Sequence, residues 1–513
     1  MKTKNRQPAY PGEIAKDALE KGSQMFDWFE FDESVRKGFE EQAEQLNVYI
    51  ERVIETNSHI RELPIYEKPS QQTIDKILST GIPEEGRDSL AVGNELVKDV
   101  FEQAMLTQHP RFFSFVASAV SPYSLAGCIL TDVYNLHVGG WEQAPGAGAI
   151  EENLVKWMGG LAGYTGPDVG GVFLSGASMA NMSAMVAARD SRLAPEDFPS
   201  GVAYLSDQAH SSNEKGLRII GFRQDQIVKI PTDDSFKMRV DLLEEAIRRD
   251  KQAGKRPFAV IGSLGTTNTG SIDPLEEIGR VAQEHGLWYH IDGAFGASIL
   301  LSPIYRVLAK GIEASDSFSW DTHKWLMQVY SCSALIVKDK KNLLNSFTEH
   351  PEYLADVSSS EHNDSWDLGP EMSRPARAIK LWYTLQATGT DLLAELIEYS
   401  FYNANLVKRE LNRRPNWEIV SNPCCGTINF RYVPEGLSGE ALDELTARIS
   451  KEIINSGFAF IVTTTLMGKK TLRMCTINAN TTEEDIMRTI ALLDEIAARE
   501  TAVLRQQAPQ SGR

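Results

Sequence analysis

The sequence lacks the signals of a secreted, membrane-embedded or nucleic-acid-binding protein. No apolar run approaches the roughly 20 residues of a membrane span, and the N-terminus MKTKNRQPAYPGEI has no hydrophobic signal core. Lys and Arg number 52 against 70 Asp and Glu, and the formal charge of −18 opposes binding to nucleic acid or anionic lipid. We therefore expect small-molecule partners, with no nucleic acid and no membrane.

Cysteine is also scarce. The 513 residues include five cysteines, which form no CxxC pair and no metal-ligand spacing, and their odd number argues against a disulfide framework. The sequence therefore predicts a protein of the reducing cytoplasm that holds no metal. It also lacks internal repeats, and its only low-complexity stretch is the polar tail after Arg505.

Apolar residues make up 42% of the chain, which is enough for a large core in more than one domain. Helical spacing of apolar residues dominates up to about residue 107, and Gly, Ala and aromatic residues then become frequent. A smaller α/β pattern follows a long helix near residues 376–387. The predicted division is an N-terminal helical segment (1–108), a large domain (109–387) and a small C-terminal domain (388–513).

Six apolar runs in the large domain have the length and composition of buried strands. They are GVFL (171–174), VAYLS (202–206), FAVIGSL (258–264), LWYHID (287–292), DSFSW (316–320) and SALIVKD (333–339). Helical patterns lie between them, and one of these, PLEEIGRVAQEHG, has Asp273 as its predicted N-cap. The alternation predicts an α/β fold with a mostly parallel sheet that helices cover on both faces.

Four stretches that follow predicted strands are candidates for chemistry, because ligands of parallel sheets bind beyond the carboxyl ends of the strands. LSGASMAN (174–181) is a small-residue turn into a helix, where backbone N–H groups and the helix dipole favour a phosphate. The other three stretches place His210 in SDQAHSS, Asp292 in HIDGAFGAS, and His323 with Lys324 in WDTHKWL.

Each feature alone has an ordinary structural explanation. Small-residue turns are common, a lone histidine is more often structural than catalytic, and a lysine among aromatic residues often extends to solvent. Together they match one ligand, pyridoxal 5'-phosphate. Lysine forms the Schiff base with this cofactor, a carboxylate keeps its pyridine nitrogen protonated, and an imidazole stacks on its ring.

Five motifs resemble, in order and spacing, those of the group II pyridoxal-phosphate-dependent amino-acid decarboxylases: GASMAN, SDQAHSS, LGTTNTGSID, HIDGAFGAS and SWDTHKWL. The similarity extends from HPRFFSF at residue 109 to RPARAIKLW at residues 374–382. Within the family, the pattern is most similar to the bacterial tryptophan or aromatic-L-amino-acid decarboxylase type. The resemblance implies a fold type I enzyme that forms a homodimer with shared active sites. N-terminal helices would wrap around the partner, and a mobile loop at about residues 347–373 would reach the partner's site.

The resemblance also implies roles for individual residues. Lys324 would be the Schiff-base lysine, Asp292 would pair with the pyridine nitrogen, and His210 would be the third catalytic residue. Predicted contacts of the phosphate are Ala177, Ser178 and His323. Predicted contacts of the ring are Thr267 near its hydroxyl, and His210 and Ala294 on its two faces.

The implied substrate side is apolar and aromatic, with Phe115 and Val116 in the wall, His137 and Trp141 close by, and Trp366 as a lid. A glutamate decarboxylase would need a cation there, so the expected substrate is tryptophan, phenylalanine or tyrosine, and the expected product is the arylalkylamine. Phe112 and Phe113 lie in the same segment, HPRFFSF, and the alternative interpretation is that these two residues belong to the ordinary core and not to the substrate wall.

The loop at residues 357–373 contains no tyrosine, unlike the loops of animal and plant aromatic decarboxylases. That tyrosine is thought to protonate Cα, and enzymes that lack it make aldehydes in some cases. His210 is therefore the favoured acid, with His362 as the second choice. Amine remains the expected product, and an aldehyde synthase on the same scaffold is the alternative.

Three rival classes remain. An α/β-hydrolase would use Ser178, Asp292 and His323, which follow in the chain order of that fold, but it leaves Lys324 and His210 without a function and lacks an HGGG-type segment. A cofactor-binding scaffold without catalysis is disfavoured by the presence of both Lys324 and Asp292. An aminotransferase shares the cofactor, although the HKW context resembles that of the decarboxylases.

Overall fold

The computed structural model describes residues 31–116, 118–349 and 362–507. Their contacts divide into two compact units. The first unit comprises residues 31–63 and 68–103 and contains the helices α1 (Phe31–Ser58), α2 (Gln71–Ser79) and α3 (Ser89–Leu96). Side-chain caps fix the starts of the two shorter helices, since Ser70 accepts a hydrogen bond from the Thr73 amide and Asp88 accepts one from the Ala91 amide.

The second unit comprises residues 64–67 and the described residues from 104 onward, and it contains two sheets. The larger sheet has seven strands: β1 (Gly170–Leu174), β2 (Gly201–Ser206), β3 (Ile227–Ile230), β4 (Arg256–Ser263), β5 (Trp288–Asp292), β6 (Ser317–Asp321) and β7 (Ser333–Val337). Their order in space is β1-β7-β6-β5-β4-β2-β3. The strand β7 is antiparallel to both of its neighbours, and the other strands all run in one direction. The carboxyl ends of six strands therefore lie along one edge.

Helices cover both faces of this sheet, as the alternating pattern predicts. They are α4 (Pro122–Tyr134), α5 (Pro145–Leu161), α6 (Ala177–Arg192), α7 (Ser211–Ile219), α8 (Val240–Gln252), α9 (Leu275–His285), α10 (Lys341–Phe347) and α11 (Ala378–Asn412). Side chains of a strand alternate between faces, and β2 sends Val202 and Tyr204 into one buried cluster but Ala203 and Leu205 into another. A strand buried on both sides appears in the sequence as a continuous apolar run.

The smaller sheet is antiparallel with the order β10-β11-β9-β8. Its strands are β8 (Trp417–Cys424), β9 (Thr427–Tyr432), β10 (Val462–Leu466) and β11 (Lys469–Cys475). The helices α12 (Glu440–Asn455) and α13 (Glu483–Gln507) pack their apolar faces against it. Both sheets belong to the second unit, so the predicted division at residue 387 stays a prediction.

The fold class is confirmed, and the differences are local. The strand β3 is missing from the prediction because its four residues, IVKI, include a lysine and form the edge of the sheet. The predicted N-cap at Asp273 is wrong. Its carboxylate, which is almost fully buried, accepts hydrogen bonds from the Met238 and Ser263 amides at 2.8 Å each, and burial raises its pKa to about 6. Within the described ranges, no helix has the length and apolar character needed to cross a membrane.

Candidate active site

The carboxyl ends of β1, β2, β4, β5 and β6 carry every residue predicted to contact the cofactor. Ala177 and Ser178 follow β1, His210 follows β2, Thr267 follows β4, and Asp292 is the last residue of β5. Ala294 follows Asp292, and His323 and Lys324 follow β6. The topology therefore brings to one edge of the sheet residues that span almost 150 positions of the chain.

Asp292 is a buried carboxylate held by amide donors. One of its oxygens, Oδ2, accepts hydrogen bonds from Asn213 Nδ2 at 2.7 Å and Asn181 Nδ2 at 3.0 Å. The other, Oδ1, accepts one from the Ala294 amide at 3.2 Å, with the Ser319 hydroxyl at 3.5 Å. Only 6% of the residue is exposed. These donors stabilise a charge that would be costly to bury alone, as predicted for a carboxylate at this strand end.

The Lys324 ammonium forms an ion pair with Asp321, the last residue of β6, at 2.8 Å. Burial lowers the pKa of Lys324, but the Asp321 carboxylate more than offsets this effect, so the pKa lies above its ordinary value. Burial raises the pKa of Asp321, and the charges of Lys324 and His323 outweigh that effect and lower it. In this state Lys324 is held as a cation, although 23% of its side chain is accessible.

His323 lies between this ion pair and the turn after β1. Its Nδ1 is 2.8 Å from the Cys332 carbonyl oxygen, and its Nε2 is 3.7 Å from Asp321 Oδ2. Burial lowers the pKa of His323 below its ordinary value. A Cβ atom at Gly176 would lie 3.9 Å from the His323 ring, so the ring and the turn are close neighbours.

The turn after β1 presents backbone donors at the start of α6. The Ala177 amide donates to Asp321 Oδ1 at 2.7 Å, and Ser178 is exposed beside it. Asp321 thus connects the turn, His323 and Lys324. An N-terminal helix turn beside a histidine is suited to a phosphate group.

His210 caps α7 with its own ring. Its Nδ1 accepts a hydrogen bond from the Ser212 amide at 3.2 Å, and the residue is exposed. Asn213, one turn further along, bonds both the His210 carbonyl oxygen and Asp292. These bonds fix the His210 backbone relative to Asp292.

Arg473 of β11 joins two predicted site residues through their backbones. Its Nε donates to the Thr267 carbonyl oxygen and its Nη1 to the Phe115 carbonyl oxygen, both at 2.7 Å. Phe115 is 57% exposed and has a φ of 54°, an unusual conformation for a residue other than glycine. Val116, in contrast, is buried. Phe112 and Phe113 are buried core residues, as in the alternative interpretation.

The remaining predicted substrate residues, His137, Trp141 and Trp366, form a separate group with His362, the second-choice acid, and we call this group the aromatic cluster. The Trp141 and His362 rings stack with centroids 3.7 Å apart, and Trp366 is buried against Gly139 and Gly140. Trp141 lines a small cavity with Gly170 and Gly171, which begin β1, whereas Ala177 follows the end of that strand. Residues 350–361 of the predicted loop lie outside the described residues, and the substrate role of the cluster stays a prediction.

A buried ion pair fixes the chain after this loop. Arg374 donates to Glu151 of α5 at 2.7 Å and to the Phe173 carbonyl oxygen of β1 at 2.5 Å, and Glu151 accepts from the Phe173 amide. The Arg374 carbonyl oxygen accepts from the Val138 amide. The RPAR segment therefore holds the aromatic cluster against the large sheet.

Several residues of the site were missed by sequence reasoning, and most of them carry a detectable signal. Asn181, Asn213 and Asp321 each lie three positions from a predicted residue, namely Ser178, His210 and Lys324. For Ser178 and Asn181, which both lie on α6, this spacing makes the two side chains neighbours on the helix. Arg473 is the one charge in the buried part of β11, TLRMC, and a buried charge needs partners. Tyr330, with its ring centroid 4.6 Å from that of His323, has no comparable signal.

The arrangement is suited to pyridoxal phosphate and not to a hydrolytic triad. A buried carboxylate, an accessible lysine and a helix N-terminus at one sheet edge match the ring nitrogen, the aldehyde and the phosphate of this cofactor. Asp292 is bonded to Asn181 and Asn213, and His323 to Cys332. In the described part of the chain, no hydrogen bond joins His323 to Ser178 or to Asp292.

Comparisons with known proteins bear on the family and the fold. Residues 72–433 match the model of the pyridoxal-dependent decarboxylase conserved domain. An aromatic-L-amino-acid decarboxylase of Bacillus atrophaeus is 32% identical over 87% of this chain and 94% of its own. A histidine decarboxylase of Mus musculus is 29% identical over 90% of this chain and 71% of its own. A crystal structure of Oryza sativa TDC with PLP and tryptamine superposes with a TM-score of 0.86 at 24% identity, covering 90% of this chain and 98% of that one.

Proposed function

Because the chain belongs to the pyridoxal-dependent decarboxylases, with pyridoxal phosphate as its cofactor, we propose that it converts an aromatic L-amino acid to the arylalkylamine and CO2. The preferred substrate would be tryptophan, phenylalanine or tyrosine. The observation that carries this proposal is the exposed aromatic side chain of Phe115, whose backbone Arg473 ties to Thr267 beside the cofactor residues.

The bound cofactor supplies an electron sink for the bond to CO2. The residues proposed to hold it are Lys324 at the aldehyde carbon, Asp292 at the ring nitrogen, and Ala177, Ser178 and His323 at the phosphate. Thr267 would lie near the ring hydroxyl, with His210 and Ala294 on the two ring faces. His210 is fixed through Asn213, so its Nε2 is the proposed donor of a proton to Cα.

The substrate proposal is tested by incubating the purified holoenzyme with each of the twenty amino acids and measuring kcat/KM from CO2 release. We expect one of the three aromatic amino acids to rank first, because the accessible wall at Phe115 is apolar and aromatic. Phe115→Ala should lower kcat/KM for that substrate about tenfold or more, since the aromatic contact proposed between Phe115 and the substrate is lost. Phe101→Ala, which removes a ring of similar exposure from another unit, should not. A first rank for glutamate or histidine would contradict the proposal.

The same incubations, run in air, separate amine from aldehyde production. Amine should exceed aldehyde and hydrogen peroxide, with His210 in place of the missing loop tyrosine as the acid. His362 is a weaker candidate, because its ring is stacked on Trp141. Aldehyde and peroxide in excess of amine would identify an aldehyde synthase, the second candidate function.

We also propose a homodimer with shared active sites. Helix α4 exposes an apolar patch of Tyr123, Leu130, Val133 and Tyr134, of which Val133 and Tyr134 are 69% and 73% exposed. Patches of this kind favour protein interfaces. The Val329 amide, in the loop after Lys324, donates to Ser124 of the same helix at 2.9 Å. A second copy bound at the patch would therefore lie beside the active-site loop. The aromatic cluster, near the start of β1, is the group available to such a partner.

Sedimentation of the holoenzyme should give twice the chain mass of 57.0 kDa. Val133→Glu should shift the protein toward monomer and lower its cofactor affinity, since a charge in a desolvated interface is costly. Val307→Glu, at a similarly exposed apolar position elsewhere, is the control. A monomeric wild type would contradict the proposed homodimer.

The five cysteines are all free, which supports a reducing compartment such as the predicted cytoplasm.

A further inference from the structure

A line of buried polar side chains leads away from Asp292 into the interior of the large sheet. His290, two residues before Asp292 on β5, is fully buried, and its Nε2 lies 3.0 Å from Asn181 Oδ1. Its Nδ1 lies 2.8 Å from the Ser317 hydroxyl, which also accepts a hydrogen bond from Trp288 Nε1 at 2.9 Å. Asn181 completes the line by donating to Asp292 at 3.0 Å.

The strand register builds this arrangement. Side chains at alternate positions of a strand lie on one face, so Trp288, His290 and Asp292 share a face of β5. The neighbouring strand β6 pairs His290 with Ser317 and Asp292 with Ser319. Helix α6 contributes Asn181, which reaches both His290 and Asp292.

The direction of every hydrogen bond in the line follows from its chemistry. An ionised carboxylate only accepts, so the Asn181 amide nitrogen faces Asp292 and its oxygen faces His290. That oxygen also only accepts, so His290 Nε2 carries a proton. Burial lowers the pKa of His290 to about 4, and the ring is therefore neutral, with Nδ1 as an acceptor for the Ser317 hydroxyl proton. All donors point toward Asp292.

We propose that His290 is a positioning residue, which acts through Asn181 to fix the orientation and charge of Asp292 for the ring nitrogen of the cofactor. Hydrogen bonds that point in one direction polarise one another, so the bond that reaches the carboxylate is strengthened. Both Asn donors bind Oδ2, whereas Oδ1 accepts only the longer bonds from the Ala294 amide at 3.2 Å and the Ser319 hydroxyl at 3.5 Å, so Oδ1 is the proposed acceptor for a ring N–H. The inference rests on the proposed role of Asp292.

The removal of His290 frees the Asn181 side chain. Without the Nε2 donor, the Asn181 oxygen is buried unpaired, and the amide loses the bond that fixes its orientation. The bond from its nitrogen to Asp292 Oδ2 is then less well held and less polarised, so the carboxylate becomes a weaker partner for a proton on the ring nitrogen. His290→Leu should therefore weaken ring protonation, and His290→Gln, which retains a donor near the Nε2 position, should restore it.

The decisive readout is the 15N chemical shift of the ring nitrogen in holoenzyme loaded with 15N-labelled pyridoxal phosphate, which reports protonation without turnover. We expect the signal of His290→Leu to move toward the unprotonated value, with cofactor affinity and kcat each about tenfold lower, the scale of one lost hydrogen bond to a charged group. His290→Gln should give most of the wild-type shift.

Tyr164→Phe is the matched control, because it removes the buried hydrogen bond between the Tyr164 hydroxyl and Ser315 at 2.6 Å, outside this line. It should lower the melting temperature without moving the 15N signal. Equal movement in Tyr164→Phe and His290→Leu would overturn the proposal. If His290→Leu does not fold, Ser317→Ala decides, since it removes the hydroxyl donor at His290 Nδ1 that begins the line, and an unmoved signal there overturns the proposal.

Asp292→Asn separates this inference from the function it rests on. An unmoved 15N signal in Asp292→Asn would remove the proposed role of Asp292 itself. A signal that moves in Asp292→Asn but not in His290→Leu would leave that role intact and overturn the role of His290.

Discussion

Lys324→Ala is expected to abolish turnover and to leave no cofactor that borohydride can fix to the chain. Lys324 is the only lysine in the WDTHKWL motif, and it follows β6 at the sheet edge shared with Asp292. The measurement is mass spectrometry of the borohydride-treated holoenzyme, combined with amine production. We expect a cofactor adduct on the Lys324 peptide of the wild type and none in the variant.

Lys380 is the control, because it is another lysine with little exposure, and its Nζ lies 3.5 Å from the Tyr330 carbonyl oxygen. Lys380→Ala should keep the adduct. An adduct that persists in Lys324→Ala, or that disappears only in Lys380→Ala, would show that the wrong lysine is assigned.

Lys324→Ala also tests the ion pair between Lys324 and Asp321. Without Lys324, the Asp321 carboxylate loses the cation that lowers its pKa, so that pKa should rise and the apo chain should unfold more easily. The cost should reach at most about 3 kcal/mol, the low end for a broken buried pair, because 23% of the Lys324 side chain is exposed. Urea unfolding of the two apo proteins measures it.

Asp292→Asn is expected to lower kcat at least about a hundredfold while the cofactor still binds, the scale of one lost electrostatic contact in an active site. Asn213 and Asn181 both donate to Oδ2, so the oxygen of the new amide must take that position. Its NH2 group then occupies the place of Oδ1, where it cannot accept a ring N–H. The substitution keeps the shape of the side chain but removes the acceptor that holds the proton on the ring nitrogen.

Cofactor titration followed by visible absorbance, together with kcat for the best substrate, measures this effect. Asp273→Asn serves as the control, because Asp273 is another buried carboxylate, bonded only to the Met238 and Ser263 amides in the described hydrogen bonds. It should affect stability more than rate. Near-wild-type activity of Asp292→Asn would refute a role in ring protonation.

The sequence was most informative where burial alone decides the structure. A strand covered on both faces must be apolar throughout, and β1, β2 and β5 therefore appear as plain runs whose ends locate Ala177, His210 and Asp292. The edge strand β3, with its lysine, carries too little of this signal. Asp273 looked like a cap because Pro274 follows it, but the carboxylate bonds amides from two distant segments instead.

Contacts between residues from distant parts of the chain could not be predicted from the pattern of apolar runs. The contact of Arg473 with Thr267 and Phe115 depends on how the small sheet meets the large one, which no local pattern encodes. The aromatic cluster shows the same limit. The family resemblance predicts Trp141 and Trp366 on the substrate side, which stays a prediction, but it does not predict their contacts with His362, Gly139 and Gly140. Only the packing of the segment around Arg374 determines that arrangement.

The position of β7 between β1 and β6 has a consequence for the order of events during biosynthesis. The strand β7 is made after both of its neighbours, yet its hydrogen bonds are what join them. Until residue 337 has emerged from the ribosome, no strand fills the gap between β1 and β6, so the strands that precede Ala177 and Lys324 are not joined in one sheet. Contacts that link such distant positions form late in folding. A nascent chain should therefore become able to capture its cofactor only when the β7 strand closes the gap, well after most of the sheet has been synthesised.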